Sequence, residues 1–310
     1  MKKKNVFILT RPIQYANAKN IISKTFNDKN ILFLYPNFKD GIKFYESILK
    51  FEGDWYKVIL IKSRFQLMYE VLKLKIDKLY LSTDLGFYTI IQIFASKSFH
   101  YEEGWGTYSN GESKNLTFAS RLFLYIYRVL GNGEHMGNSV KTKGVIVYNK
   151  SLHKLKFPNY KKNIYTFPLG FKQNIAANLP FFENVFKFKK SLSNYKNNTI
   201  LIYATGWKID DNILKELNSK RKNFDHILIK LHPHIRDFNQ SLLGFNQLEQ
   251  NVILEIYISE LLAQNNNITI WHDNSSSVFY YLDEIKVRNI GRLRPQFDEI
   301  FEFFRKKINE

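Results

Sequence analysis

Along most of the chain, short unbroken runs of aliphatic, β-branched or aromatic residues alternate with longer stretches of mixed apolar and polar character. The runs predict strands at Val6–Thr10, Ile31–Tyr35, Val58–Ile61, Lys78–Ser82, Ser98–Tyr101 and Val145–Tyr148. Between them, helix-length stretches lie near Gln14–Phe26, Gly41–Phe51, Phe65–Lys75, Leu85–Ala95 and Thr117–Leu130. Strands that are apolar throughout are buried on both faces, and helices between them imply a parallel sheet covered on both sides.

The rhythm fades between Phe157 and Tyr195, where Pro158, Pro168, Gly170, Pro180 and the basic run Lys187–Lys190 read as a connection between domains. A second βα series starts at Asn198–Trp207, followed by a helix near Asp210–Arg221, a strand over His226–His234 and another that begins at Asn267 and runs into a serine loop and a helix. An amphipathic helix over Phe297–Lys307 closes the chain and is expected to pack back on the first domain. The predicted class is therefore α/β, with one Rossmann-like domain over residues 1–170 and another over 171–310.

Composition agrees with two packed domains, since 310 residues exceed one typical domain and 45% are apolar. The absence of Cys removes disulfides and thiolate metal sites. A formal charge of +18, from 46 basic and 28 acidic residues, favours anionic partners: nucleic acid, anionic lipid head groups or phosphorylated substrates. Dispersed solvated Lys accounts for it equally well. With no RNP signature, zinc-finger spacing or block basic tail, nucleic acid is not an expected partner. The apolar run Val6–Leu9 after Lys2-Lys3-Lys4 is cut by Arg11-Pro12, too short for a secretory segment, and Leu116–Leu130 is interrupted by Arg121 and Arg128. Both point to a cytoplasmic protein, free or resting on the inner face of the membrane.

Candidate chemistry gathers where strands end. In His100-Tyr101-Glu102-Glu103-Gly104-Trp105-Gly106, a glycine after two acids lets the chain turn and expose a carboxylate at the carboxyl edge, where open α/β sheets place their sites. Trp105 suits an apolar wall beside a sugar or a core anchor. Thr10, Arg11 and Gln14 end the first strand and suit a sugar hydroxyl or carboxylate, or plain capping with Pro12 in the first turn. Ser82-Thr83-Asp84 reads most simply as an N-cap. Thr205-Gly206 could meet a phosphate or simply turn the chain. His232-Pro233 holds an imidazole at a strand end, for an anion or for structure, with His272 and Asp273 keeping a zinc site formally open. Ser275-Ser276-Ser277 offers hydroxyls and a helix amino terminus, suited to phosphate, to capping or to both.

The order of these motifs, Glu102-Glu103-Gly104, then His232-Pro233, then Ser275-Ser276-Ser277, resembles that of the bacterial sialyltransferases and polysialyltransferases of the GT-B fold. The resemblance implies two Rossmann-like domains facing a central cleft and inverting transfer of sialic acid from CMP-N-acetylneuraminic acid to a hydroxyl of a surface glycan such as lipooligosaccharide, O-antigen or capsule. It implies no cofactor and no metal. Carried over, Glu102 is the first choice of general base and Glu103 the second or its orienting partner. His232 would bind the CMP phosphate and act as general acid, Pro233 would position the nucleotide, and Ser275 to Ser277 would hold phosphate oxygens. Thr205 and Gly206 would line the nucleotide turn, although the Ala-Thr-Gly-Trp there lacks a proline expected of the family. Arg11, Gln14, Gly104 and Trp105 are candidate acceptor or sugar contacts. The alternatives are transfer of another activated sugar, from CMP-Kdo or a UDP-sugar, and a basic non-enzymatic glycan- or nucleic-acid-binding protein.

Overall fold

The computed structural model describes residues 2–25, 27–38, 40–109, 118–186, 188, 192, 194–206, 208–232, 235, 242, 244–292 and 294–309. The chain divides into two units, one of Met1–Asn37 and Gly41–Gly170, the other of Phe38–Asp40 and Phe171–Glu310.

The first unit contains the strands β1 (Lys4–Leu9), β2 (Lys29–Leu34), β3 (Lys57–Leu60), β4 (Ile76–Leu81), β5 (Ala95–Tyr101), β6 (Thr142–Val147) and β7 (Asn163–Thr166). They form one sheet in the order β3-β2-β1-β4-β5-β6-β7, with every pairing parallel. The sheet is apolar on both faces. Val6, Ile8, Ile31, Phe33, Leu79 and Leu81 pack on one side with Leu67 and Val71. On the other, Phe7 stacks on Tyr80 at 4.4 Å and meets Trp55 edge-on. The covering helices are α1 (Pro12–Ile22), α2 (Gly41–Phe51), α3 (Arg64–Leu72), the short α4 (Phe87–Ile91), α5 (Phe118–Val129) and α6 (Lys150–Lys156). Strand order reverses between β1 and β4, so their carboxyl ends mark the crevice where such sheets bind ligands.

The second unit repeats the plan with α7 (Phe171–Phe186), β8 (Thr199–Ala204), α8 (Asp211–Ser219), β9 (His226–Lys230), β10 (Asn246–Leu248), α9 (Leu254–Ala263), β11 (Asn267–His272), β12 (Lys286–Asn289) and α10 (Pro295–Asn309). Its sheet runs β10-β9-β8-β11-β12, again all parallel, and reverses between β8 and β11. Phe297 and Phe304 of α10 pack on Phe279 within this unit.

Several elements depart from the sequence expectation. The supposed connection over 157–195 contains β7 and the sixteen-residue α7, with Pro180 inside the helix. Pro180 reads as a breaker, but Phe171, Asn174, Ile175, Asn178, Phe181, Phe182, Val185 and Phe186 are buried at helical spacing, and that burial outweighs one lost backbone hydrogen bond. β10, α9 and β12 were not anticipated, since two of them are strands of three and four residues. The helix expected over Leu85–Ala95 shrinks to α4 and one 3-10 turn, and the serine loop leads into a 3-10 helix over Ser276–Tyr281. Asp84 is not a cap. It is fully buried and accepts from the backbone N–H groups of Gly137 and Ser139 and the hydroxyl of Thr142, tying the chain before β6 to the end of β4.

Candidate functional site

On the first unit, β5 delivers the paired acids to the carboxyl edge, and the two side chains have opposite fates. Glu102 is 2% exposed. Its Oε2 accepts the Tyr108 hydroxyl and the backbone N–H of Tyr148 at 2.8 Å, and its own carbonyl accepts from Asn17 Nδ2 at 2.8 Å. Such bonds to a buried carboxylate lock the edge of β5 against α1 and the end of β6. Glu103, next along, turns towards the end of β1. Arg11 Nη1 lies 2.8 Å from Glu103 Oε1, and Gln14 Nε2 donates to Glu103 Oε2 at 2.7 Å, while Gln14 Oε1 accepts the N–H of Thr10. The Glu103 side chain keeps 20% of its surface exposed.

Pro12 starts α1 as expected, and Arg11 at its N-cap makes no side-chain cap bond. Arg11 and Gln14 serve Glu103 instead. Gly104 begins the 3-10 turn over Trp105–Tyr108, accepting the N–H of Thr107, and this turn swings Tyr108 back onto Glu102. Trp105 is half-buried at its start. The structure thus brings Arg11, Gln14 and Glu103 together and places Glu102 beneath them.

Behind this edge lies a group of neutral histidines. Burial pushes His100 down to about 4 and His153 to about 3, and His135 is lowered for the same reason. His135 stacks on Phe157 at 3.7 Å.

The second unit assembles its own edge from β8, β9 and β11. Thr205 follows β8, and its hydroxyl accepts the backbone N–H of His232 at 2.9 Å, so the turn after β8 holds the backbone that carries the imidazole. The His232 carbonyl accepts from Gln250 Nε2. Beneath it, the buried Lys230 ammonium donates to the Gln250 carbonyl at 3.0 Å and is pushed down to about 8 by desolvation. Pro233 lies outside the described residues.

Gly206 has a steric explanation. A Cβ there would stand 1.8 Å from Asp273 Oδ2, and one at Gly291 would stand 2.0 Å from Oδ1. The Asp273 carboxylate is seated between two glycines, at the point where the sheet reverses. Beyond it, Asn274 adopts φ 51, and Ser275 caps the 3-10 helix by accepting the N–H of Ser277. The N–H of Ser275 donates to His272 Nδ1, and burial lowers His272 to about 4. Ser277 hydrogen-bonds Glu255, a buried acid in the first turn of α9 that is raised by desolvation. Ser276 is half-buried between them.

Lys230, Gln250 and Glu255 carry no site assignment from sequence, and Asp273 enters there only beside His272 as a formal zinc ligand. Only Lys230 carried a signal: it ends the otherwise apolar run Ile227-Leu228-Ile229. Among the described residues, no three His, Asp or Glu side chains stand close enough to hold a metal ion, and no helix is long and apolar enough to cross a membrane.

Two all-parallel Rossmann-like units whose motifs sit on carboxyl edges define the GT-B class of fold. Solved structures of that class align along nearly the whole chain. They include the UDP-GlcNAc 2-epimerase of Neisseria meningitidis bound to UDP-GlcNAc, at 15% identity and TM-score 0.55 over 100% of this chain and 92% of that one. The wall teichoic acid polymerase TagF with CDPG aligns at 13% and 0.55, over 99% and 82%. Arabidopsis thaliana UGT89C1 complexed with UDP-L-rhamnose aligns at 8% and 0.57, also over 99% and 82%. At these identities the likeness is one of fold. No family model and no curated protein matches the chain.

Proposed function

We propose that this chain is an inverting glycosyltransferase that moves sialic acid from CMP-N-acetylneuraminic acid to a hydroxyl of a glycan, with Glu103 as general base. The observation that carries this reading is the division between the two acids: Glu102 is enclosed by Tyr108 and Tyr148, whereas Glu103 stands at the edge between Arg11 and Gln14. A base must reach the proton it removes, so Glu103 takes the role for which Glu102 was the first choice.

In the proposed reaction the Glu103 carboxylate takes the acceptor hydroxyl proton as that oxygen attacks the anomeric carbon. The bond from that carbon to the CMP phosphate oxygen breaks, and its electron pair leaves with the phosphate. The charge developing on the phosphate calls for positioned donors, and His232, Thr205 and the amino end of the Ser275–Ser277 turn are the groups assigned to it. Gln250 and Lys230 hold the His232 backbone in place. No step needs a metal.

A UDP-sugar donor is the second reading, favoured by the UDP-sugars bound in two of the neighbours above. Purified protein incubated with CMP-sialic acid, CMP-Kdo and UDP-sugars, together with lactose- and sialic-acid-terminated acceptors, separates the readings by mass spectrometry. A sialyl mass increment only with CMP-sialic acid is expected. Transfer only from a UDP-sugar replaces the donor assignment, and no transfer from any donor overturns the enzyme.

A further inference from the structure

Helix α5 has its amphipathicity inverted. In an ordinary surface helix the apolar stripe faces the core. Here Ser120, Leu124 and Tyr127 form the half-buried inner face, with the Tyr127 ring standing over Gly86. Leu122, Phe123, Tyr125, Ile126 and Val129 point outward and are between 42% and 71% exposed. At 100° per residue these five span a continuous outer arc. Val140, 71% exposed, extends it, because its N–H is tied to the Gly131 carbonyl just past the helix end.

The charges around this arc are predominantly basic. Arg121 and Arg128, seven residues apart, form a row along one border, and α5 contains no acidic residue. Lys141 and Lys143 are exposed immediately after Val140, and Glu134 is the one acid between Phe118 and Lys143. Two copies of the chain meeting through this face would oppose like charges, on molecules that each carry +18. An anionic lipid surface answers both features, since its acyl boundary takes the apolar arc and its head groups the arginines. We propose that the outer face of α5 is a docking surface for anionic membrane lipid, a property independent of which sugar donor the protein uses.

Co-sedimentation with phosphatidylcholine vesicles, with and without phosphatidylglycerol, tests it alongside analytical ultracentrifugation without lipid. The wild-type chain is expected to be monomeric and to bind phosphatidylglycerol vesicles at least tenfold more tightly than neutral ones. Leu122→Ser with Ile126→Ser should weaken that binding by about tenfold or more at unchanged far-UV circular dichroism, because the removed groups are exposed in the free protein. Arg121→Gln with Arg128→Gln should weaken binding to phosphatidylglycerol vesicles by roughly tenfold and reduce the preference for anionic lipid. Phe65→Ser, at an exposed apolar position on α3, should leave it unchanged. Failure of the wild type to bind, equal binding by the Leu122/Ile126 variant, or equal loss from Phe65→Ser overturns the proposal. So does a dimer that the Leu122/Ile126 substitutions dissociate, which would assign the face to a second copy.

Discussion

Substituting the two adjacent acids separately distinguishes a chemical role from a structural one. Glu103→Gln keeps the side-chain shape and a contact with Gln14 but removes the charge and the proton-accepting carboxylate. The stability cost is modest: Arg11 is 55% exposed and Glu103 20%, and ion pairs that open to solvent on one side contribute about 0–1 kcal/mol. The catalytic cost is that of a lost general base, about 10²–10⁴-fold in kcat. Glu102→Gln retains a carbonyl oxygen that can accept from Tyr108 and Tyr148, so activity should stay within a few-fold of wild type. Glu102→Leu strands both donors, and each buried donor left without an acceptor costs roughly 1–3 kcal/mol. A total near 3 kcal/mol would lower Tm by about 6–12 °C at 2–4 °C per kcal/mol for a unit of this size. Turnover of CMP-sialic acid and thermal melts of the three variants give the pattern. Loss of turnover in Glu102→Gln with retention in Glu103→Gln would invert the assignment and refute the reasoning from burial.

Further outcomes follow from the same contacts. His100, His153 and His272 are held neutral well below the ordinary histidine range of about 6.5, so the unfolded chain binds protons that the folded chain does not. Their stability contribution is complete above pH ~6.5 and falls by about 1.4 kcal/mol per pH unit for each group as pH drops towards ~4, about 2 kcal/mol each at pH ~5. Asp84 and His135 act on the His100 charge, and His135 and His100 on that of His153. Urea unfolding at pH ~7.5 and ~5 should show a smaller acid loss in His153→Gln, and an equal loss would contradict the assignment. Gly206→Ala forces its Cβ onto the Asp273 carboxylate and should destabilise by roughly 1–3 kcal/mol, read as a lower Tm. Thr205→Val leaves the His232 N–H without its acceptor and should raise the donor KM roughly tenfold, with Thr205→Ser restoring it; an unchanged KM removes Thr205 from the donor site.

The amino-acid sequence by itself determined the two βα series, because strands buried on both faces must be apolar at every position, and that signal is local. It also placed Glu102-Glu103, Thr205-Gly206, His232 and the serine turn at strand ends, where parallel sheets expose polar groups. The helix through Pro180 was legible in its spacing of buried positions and obscured by one residue. Strand order, by contrast, rests on pairings between distant segments. Which of two neighbouring acids faces outward rests on Tyr108 and Tyr148, and the need for glycine at 206 rests on Asp273. The outward apolar face of α5 was also decided by tertiary structure: periodicity gives a helix two faces, and only packing chooses which one turns inward.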